Sequence, residues 1–413
     1  MIEAPAPKRS ASIVAALRFR DFRLLWGGLM ISNVGTWMQF TAMGFFVARV
    51  AGTPHLAALD LGILGASRAI PVLLFSPLAG VVADELPRRR VLLVTNMTMA
   101  LVALALALLA STNRLDMLGL VLLSAINSGA NAFDAPTRQS WVPLLVDRQY
   151  VGNAVGLNSV AFNAPAVIGP ALAGLLIVWV GVAGSFYVNA VLTLAVVVAV
   201  MMMRPSPPSV KRREPMLRAM RQGVVFLTNH SILRWIVLAF VITAIFARPY
   251  SQLIPAFTEN VLHAGPRGLG WAVSAIGLGG FGGALVTAYF AQRERRSRLW
   301  LQAGLVMSGG IVALAFVPTL AIMLPMLFLT GIGTITLLGA TNTLIQTLSP
   351  ELVRGRALAV YTMIAIGFVP AGSLVDGAIA AVIGLHEMFA LAGALCALTF
   401  IGIWFFQPQV RNV

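Results

Sequence analysis

Long apolar runs recur along the whole chain, separated by short polar gaps. A helix needs about 20 predominantly apolar residues to cross the hydrocarbon core of a bilayer. On that measure the runs at 24–48, 59–82, 91–110, 117–135, 152–179, 183–203, 235–257, 268–291, 299–317, 320–344, 357–382 and 387–406 predict twelve spans. The longest gap, 204–234, begins RPSPPSVKRREP, which is proline-rich and basic and cannot pack a core. Residues 216–227 within it have the pattern of a short amphipathic helix lying on the inner membrane surface. The expected organisation is a cytoplasmic segment (1–23), a six-helix bundle (24–203), a cytoplasmic linker (204–234), a second six-helix bundle (235–406) and a short tail (407–413). The fold class is therefore an all-α membrane protein of twelve transmembrane helices in two six-helix bundles.

The halves also share a weak internal repeat. GPALAG at 169–174 in span 5 matches GSLVDG at 372–377 in span 11, at an offset of 203 residues. Gly80 and Gly283 are again 203 apart, and VPLLV (142–146) resembles SPELV (349–353) at an offset of 207. Any one such match among small residues carries little weight. Three near half the chain length point to a duplicated unit, with a pseudo-two-fold axis between the bundles and a midplane site, which is a transporter pattern.

Composition agrees with a lipid-facing surface. Charged residues are 10% of the 413 and hydrophobic ones 59%, against roughly 25% charged in a soluble domain. The net charge of +15 would fit nucleic acid in a soluble protein, but its distribution excludes that partner. Of 29 basic residues, 24 fall in the amino-terminal segment and every second gap, and only Arg114 and Arg267 in the others. The positive-inside rule then places both termini in the cytoplasm of a multi-pass protein of the plasma (inner) membrane. Arg49, Arg68 and Arg248 lie within spans. Seven of eight tryptophans, Trp141 and Trp300 among them, fall near span ends, where an indole sits at the headgroups; Trp37 lies mid-span.

The single cysteine, Cys396, and four dispersed histidines, His55, His230, His263 and His386, offer no metal site and no catalytic set. No metal, no cofactor and no enzyme activity are expected. A receptor would need a signalling domain outside the spans. No signal peptide is recognisable, so the first span is expected to act as its own targeting signal.

The gap after span 2 reads GVVADELPRRR. It resembles the loop signature of the major facilitator superfamily, with Gly80, Asp84, Arg88, Arg89 and Arg90 in place. Glu85 stands where a basic residue is usual and Pro87 where a glycine is usual. An ordinary positive-inside loop would account for the arginines alone. The resemblance implies a secondary transporter working by alternating access as a functional monomer. It also implies that Asp84 latches the inner gate by meeting the start of span 11, where Arg354 and Arg356 lie. Gly156, Gly169, Pro170 and Gly174 have the spacing of the superfamily's exporter motif in span 5, with Pro165 and Ala173 replacing two expected glycines. Generic close packing is the competing reading there. The stretches 133–146 and 348–363, with FRDFRLLWGG and NVGTWMQ near the start, are similar to the branch containing enterobactin-exporter-like efflux proteins. That implies export of a small amphipathic molecule, drug-like or siderophore-like, by proton antiport. Uptake or facilitated passage on the same scaffold is the alternative. Span 4 lacks the arginine carried by many proton-coupled drug exporters of the superfamily, so coupling by that device does not transfer.

Polar groups inside spans mark where a solute could bind, because lipid tolerates them poorly. Asn33 and Trp37 share a face of span 1. Ser124, Asn127, Asn131 and Asp134 share one in span 4, and Ser159 and Asn163 align in span 5. Hydrogen bonding between helices is the alternative use for each stripe. Arg68 and Arg248, the latter with Gln252 one turn on, are the sharper candidates. An arginine at the bilayer centre costs about 2.5–3.5 kcal/mol on insertion scales, so each calls for water, a carboxylate or an anionic ligand. Snorkelling to the outer surface is the other reading of Arg248. Asp134 and Asp376 are the candidate proton carriers, and pairing with an arginine is the alternative for both.

Overall fold

The structure is a computed structural model that describes residues 14–204, 216–290 and 296–411; within its helices the side chains of 76, 77, 80, 81, 83, 84 and 216–219 fall outside that description. All regular structure among the described residues is helical. The chain opens with α1 (Arg20–Val50), α2 (Pro54–Glu85), α3 (Arg88–Ser111) and α4 (Met117–Trp141). Next, α5 (Val151–Met202) runs 52 residues but breaks at Gly181, whose φ of 73° lies in the left-handed region open to glycine. Its two arms match the separate runs 152–179 and 183–203. In the linker, α6 (Met216–Asn229) forms where an amphipathic helix is expected.

The second half begins with α7 (Leu233–Ile242) and α8 (Tyr250–Ala256), one rod interrupted by π-turns at Thr243–Ala247 and Phe257–Val261. Then follow α9 (Gly265–Phe290), α10 (Arg296–Leu314) and α11 (Leu320–Leu348). A further π-turn, Ile364–Phe368, joins α12 (Glu351–Met363) to α13 (Val369–Ile383), and α14 (Leu385–Phe406) with the short α15 (Pro408–Arg411) ends the described chain.

Among the described residues nine helical segments are both long and apolar enough to cross a membrane, the double-armed α5 counting once. The protein is an all-α, multi-pass membrane protein. α1 and α4 have the length but are interrupted by polar residues such as Asn33, Gln39, Asn127 and Asn131. The observed helices outrun the expected spans at several ends, notably at Glu351 in place of 357. Helices continue past the hydrocarbon core into the wet interface, where polar residues extend them and a count of apolar residues stops short.

Within the first half, α1 lies along both arms of α5, α3 packs on α4 and α5, and α2 on α4; within the second, α9 and α10 pack on α11, and α10 also on α14. Two seams join the halves, α5 against α9 and α2 against α13. Missing side chains make these seams. A Cβ on Gly174 would lie 2.7 Å from the Pro266 carbonyl and 3.2 Å from the Cα of Gly270; one on Gly377 would lie 2.5 Å from the Ala58 carbonyl and 3.0 Å from the Cα of Gly62. Only glycine allows such backbone-to-backbone approach. The repeat noted in the sequence is thus matched in packing. Gly174 and Gly377, 203 residues apart, each close a seam. Gly169 and Gly372, also 203 apart, abut Trp37 of α1 and Ile245 of the α7–α8 rod.

One end of the molecule gathers residues 15–18, the start of α3 and both ends of α5: the Ala16 amide donates to Asn153 Oδ1 at 2.8 Å, and Arg89 donates to the carbonyls of Val200 and Met201 at 3.1 and 2.6 Å. At this terminal end Gly152 and Gly156 of α5 and Gly355 of α12 face open space. The glycine contacts of both seams lie toward the opposite, far end.

Two tryptophans depart from expectation. Trp141 and Trp300 are fully buried rather than seated at headgroups. Trp300 donates from its indole nitrogen to Thr341 Oγ1 at 2.9 Å and meets Phe400 edge-on, so a protein partner replaces the interface. Trp179 and Trp271 are exposed.

Candidate functional site

A crevice lies between the halves, where α1 and α2 face α8 and α9. Phe40, Gly44, Arg68, Ser251, Gln252 and Pro255 are among its walls. Its free volume is about 10 Å³, close to the room for a single water molecule. Arg68 lies near the middle of α2. Its guanidinium sits over the Phe40 ring, 4.3 Å from the centroid, and one nitrogen approaches Met43 Sδ at 3.1 Å. Ser124 of α4 also reaches that sulfur, at 3.7 Å. Phe40 packs on Trp37 with ring centroids 5.7 Å apart.

Arg248 enters from the other half. It ends the π-turn of the α7–α8 rod, and its Nη1 donates to the Ala365 carbonyl at 2.8 Å. The local chemistry explains that acceptor. In the i→i+5 pattern of the Ile364–Phe368 turn, Ala365 faces position 370, which is Pro370 and has no N–H. The carbonyl is left for Arg248. Gln252 lies one helical turn further along and lines the crevice with Arg68. Neither arginine has a carboxylate partner among the described residues, whose ion pairs are Arg18–Asp147, Arg20–Asp21 and Arg138–Asp134.

The two candidate proton carriers differ sharply. Asp134 is buried and pairs with Arg138 at 2.9 Å; it also accepts from Asn96 Nδ2 at 2.7 Å and Thr95 Oγ1 at 3.2 Å. Arg138 lies over the Phe162 ring, 4.4 Å from its centroid. Asp376 is 0% exposed, and both of its carboxylate oxygens lack a hydrogen-bond partner among the described residues. It neighbours Gly377 in the α2–α13 seam.

The polar stripes divide between structure and open surface. Asn33 donates to the Ala161 carbonyl at 2.8 Å, tying α1 to α5. Asn163 donates to the Ser159 carbonyl, and Ser159 to that of Val155, within the exposed face of α5. Asn131 is exposed and Asn127 half-buried. Sequence reasoning gave no sign of Gln39, which is buried and accepts from Asn189 Nδ2 at 2.5 Å across α1 and α5. The signal was available: an amide one turn from Gly35, whose absent side chain makes room for Asn189.

In the gate loop, Gly80 and Asp84 lie on α2, and their side-chain surroundings are outside the described residues. Arg88 is buried and donates to Ser140 Oγ at 3.1 Å. Arg89 satisfies the orphan carbonyls at the end of α5. Arg90 is exposed. Across the molecule, Arg354 buries its Nε with no hydrogen-bond partner among the described residues, and the Arg356 carbonyl lies against Gly223 of α6. The linker helix therefore rests on the helix that starts span 11. In the span-5 motif, Gly169 and Gly174 serve close contacts, the Pro170 carbonyl abuts Gly270, and Gly156 meets nothing.

Known proteins share both sequence and fold with this chain. It is 27% identical over 395 residues to the multidrug efflux pump Tap of Mycolicibacterium fortuitum, covering 93% of this chain and 95% of that protein. A crystal structure of the nucleoside transporter NupG superposes with a TM-score of 0.68 at 13% identity, covering 93% of this chain and 100% of that one. The D-xylose-proton symporter superposes with a TM-score of 0.69 at 15% identity, covering 98% and 100%. At such identities these two likenesses establish the fold alone. Residues 11–413 match the family described as transmembrane secretion effector. With that match over almost the whole chain, the protein belongs to the transmembrane secretion effector family of the major facilitator superfamily, and is a transporter rather than an enzyme.

Proposed function

We propose that the protein carries a small amphipathic organic solute out of the cell in exchange for protons, by rocking two six-helix bundles about a pseudo-two-fold axis. In this reading twelve helices cross the membrane: the nine apolar segments, with the arms of α5 counted separately, plus α1 and α4. The charge alternation puts both termini and the linker in the cytoplasm, and a single chain is the working unit. The observation that carries alternating access is the closure of the far end. Glycines of both seams, Gly174 and Gly270 in one and Gly62 and Gly377 in the other, touch backbone toward the far end and so hold the halves together there. Such a form is shut to the outside.

Two features favour proton antiport and export. Asp376 is a buried acid without a partner, suited to holding a proton in one state and releasing it in another. A relative over nearly the whole length is named a multidrug efflux pump, which favours a drug-like cargo; a siderophore-like cargo rests on the branch resemblance alone. Uptake or facilitated passage of a small organic solute is the second reading. It draws on the scaffold shared with a proton symporter, since one seam design serves either direction. Asp84 is assigned to the inner latch, meeting the α12 end of the opposite half when the terminal end closes.

Purified protein in liposomes, given an imposed pH gradient and a panel of amphipathic compounds, tests the coupling and the direction together. Export by antiport moves solute against the proton flow. Solute travelling with protons would establish the second reading instead, and no gradient-driven movement of any compound would sink proton coupling. For the latch, Asp84→Asn should abolish transport in cells while the protein still reaches the membrane; intact transport would remove Asp84 from the gate.

A further inference from the structure

Arg68 and Arg248 are cations set midway along their helices, one from each half, and neither faces a carboxylate among the described residues. Their present partners are poor substitutes. Arg68 has a thioether sulfur and the face of Phe40; Arg248 has one backbone carbonyl. A guanidinium has five N–H donors in a planar fork. With one face of Arg68 covered by an aromatic ring, its in-plane donors are left to bind an acceptor edge-on, which is the geometry of bidentate carboxylate or sulfonate recognition. Gln252 and Ser251 supply neutral polar groups across the crevice from Arg68, one turn from Arg248 on the same rod. The remaining walls are apolar, including Leu61, Leu64 and Val273.

An intramembrane charge persists when something offsets its desolvation, and among the described residues no carboxylate does so for either arginine. We infer that the solute carries an anionic group, a carboxylate or sulfonate on an apolar or aromatic body, and that Arg68 and Arg248 together bind that group between the two halves. This rests on the transporter reading and narrows its cargo. An anion carried on an apolar body fits these apolar walls better than a bare inorganic one. The crevice now has room for about one water, so the head group enters as α1 and α2 part from α8 and α9. Binding both arginines links the halves through the solute, which couples occupancy to their relative position.

Matched probes test this on the purified full chain. 2-Naphthoate and naphthalene-2-sulfonate share a body with the cation 2-naphthylmethylammonium, and sodium chloride supplies a bare anion. The two organic anions should raise the thermal unfolding midpoint and quench tryptophan fluorescence, with the cation inert and chloride a weak competitor. Arg68→Gln and Arg248→Gln should each weaken anion affinity at least about tenfold, equivalent to about 1.4 kcal/mol. Arg68→Lys, which keeps the charge and loses the fork, should fall between. Without ligand, both Gln variants should be at least as stable as the wild type, since an unpaired membrane charge is removed; a purely structural arginine would show the reverse. Equal stabilisation by the cation, unchanged anion affinity in both Gln variants, or a chloride effect equal to that of the organic anions would each overturn the inference. Transport of cationic or neutral amphiphiles by a protein that binds no anion would overturn it too, while leaving the transporter reading in place.

Discussion

Asp134 and Asp376 are both buried acids in membrane-embedded helices, one in each half, yet their surroundings are opposite. Asp134 has an arginine, an amide and a hydroxyl within reach. Asp376 has no hydrogen-bond partner on either oxygen. The first is fixed by these partners and ties α4 to α3. Burial alone does not make a proton carrier. What distinguishes one is that its charged form is supported in only one of two states, and the antiport proposed above assigns that part to Asp376 and not to Asp134.

Four substitutions sharpen or break that contrast. The largest effect is expected from Asp376→Asn. Proton-driven transport should fall to background and lose its dependence on the pH gradient, while solute exchange without a gradient persists, as measured in liposomes. Loss of exchange as well would make the residue structural. Arg138→Leu should destabilise the protein by about 3–5 kcal/mol, because it leaves the Asp134 charge buried and unpaired. Thermal unfolding in detergent reads this, and pairing the change with Asp134→Leu should recover much of the loss. Asn96→Ala removes the 2.7 Å bond to Asp134 and should cost about 1–2 kcal/mol in the same assay. Thr95→Val removes only a 3.2 Å hydroxyl contact, with an expected loss of about 0.6 kcal/mol. If either of the last two abolished proton coupling and left stability intact, the roles of the two acids would have to be exchanged.

Much of the architecture was legible in the sequence because lipid imposes a simple code. Apolar runs of fixed length gave the helices, and the 203-residue offset between GPALAG and GSLVDG anticipated equivalent contacts at Gly174 and Gly377. The π-turns were not legible as such. Pro249 and Pro370 each follow one closely, but a proline can equally kink an α-helix, and nothing local decides between them. The site was legible only as a set of residue types. Spacing placed Asn33 and Asn131 on polar stripes, yet only tertiary packing decides that Asn33 is tied to the Ala161 carbonyl while Asn131 stays exposed. The same holds for the tryptophans. Position near a helix end did not reveal that Trp300 faces Thr341 instead of headgroups.

The glycine seams also bear on how such a protein can change its cargo over generations. Gly62, Gly174, Gly270 and Gly377 touch backbone directly, so any side chain at these places acts as a wedge. In a saturation scan scored by function they should stand out as nearly invariant. Asn131, Ser159 and Asn163 are exposed and Asn127 half-buried, so these positions should accept many residues. If the proposed transport runs along those positions, its hinge tolerates almost no change while its lining tolerates a great deal, and new solute preferences can arise on the lining without disturbing the hinge.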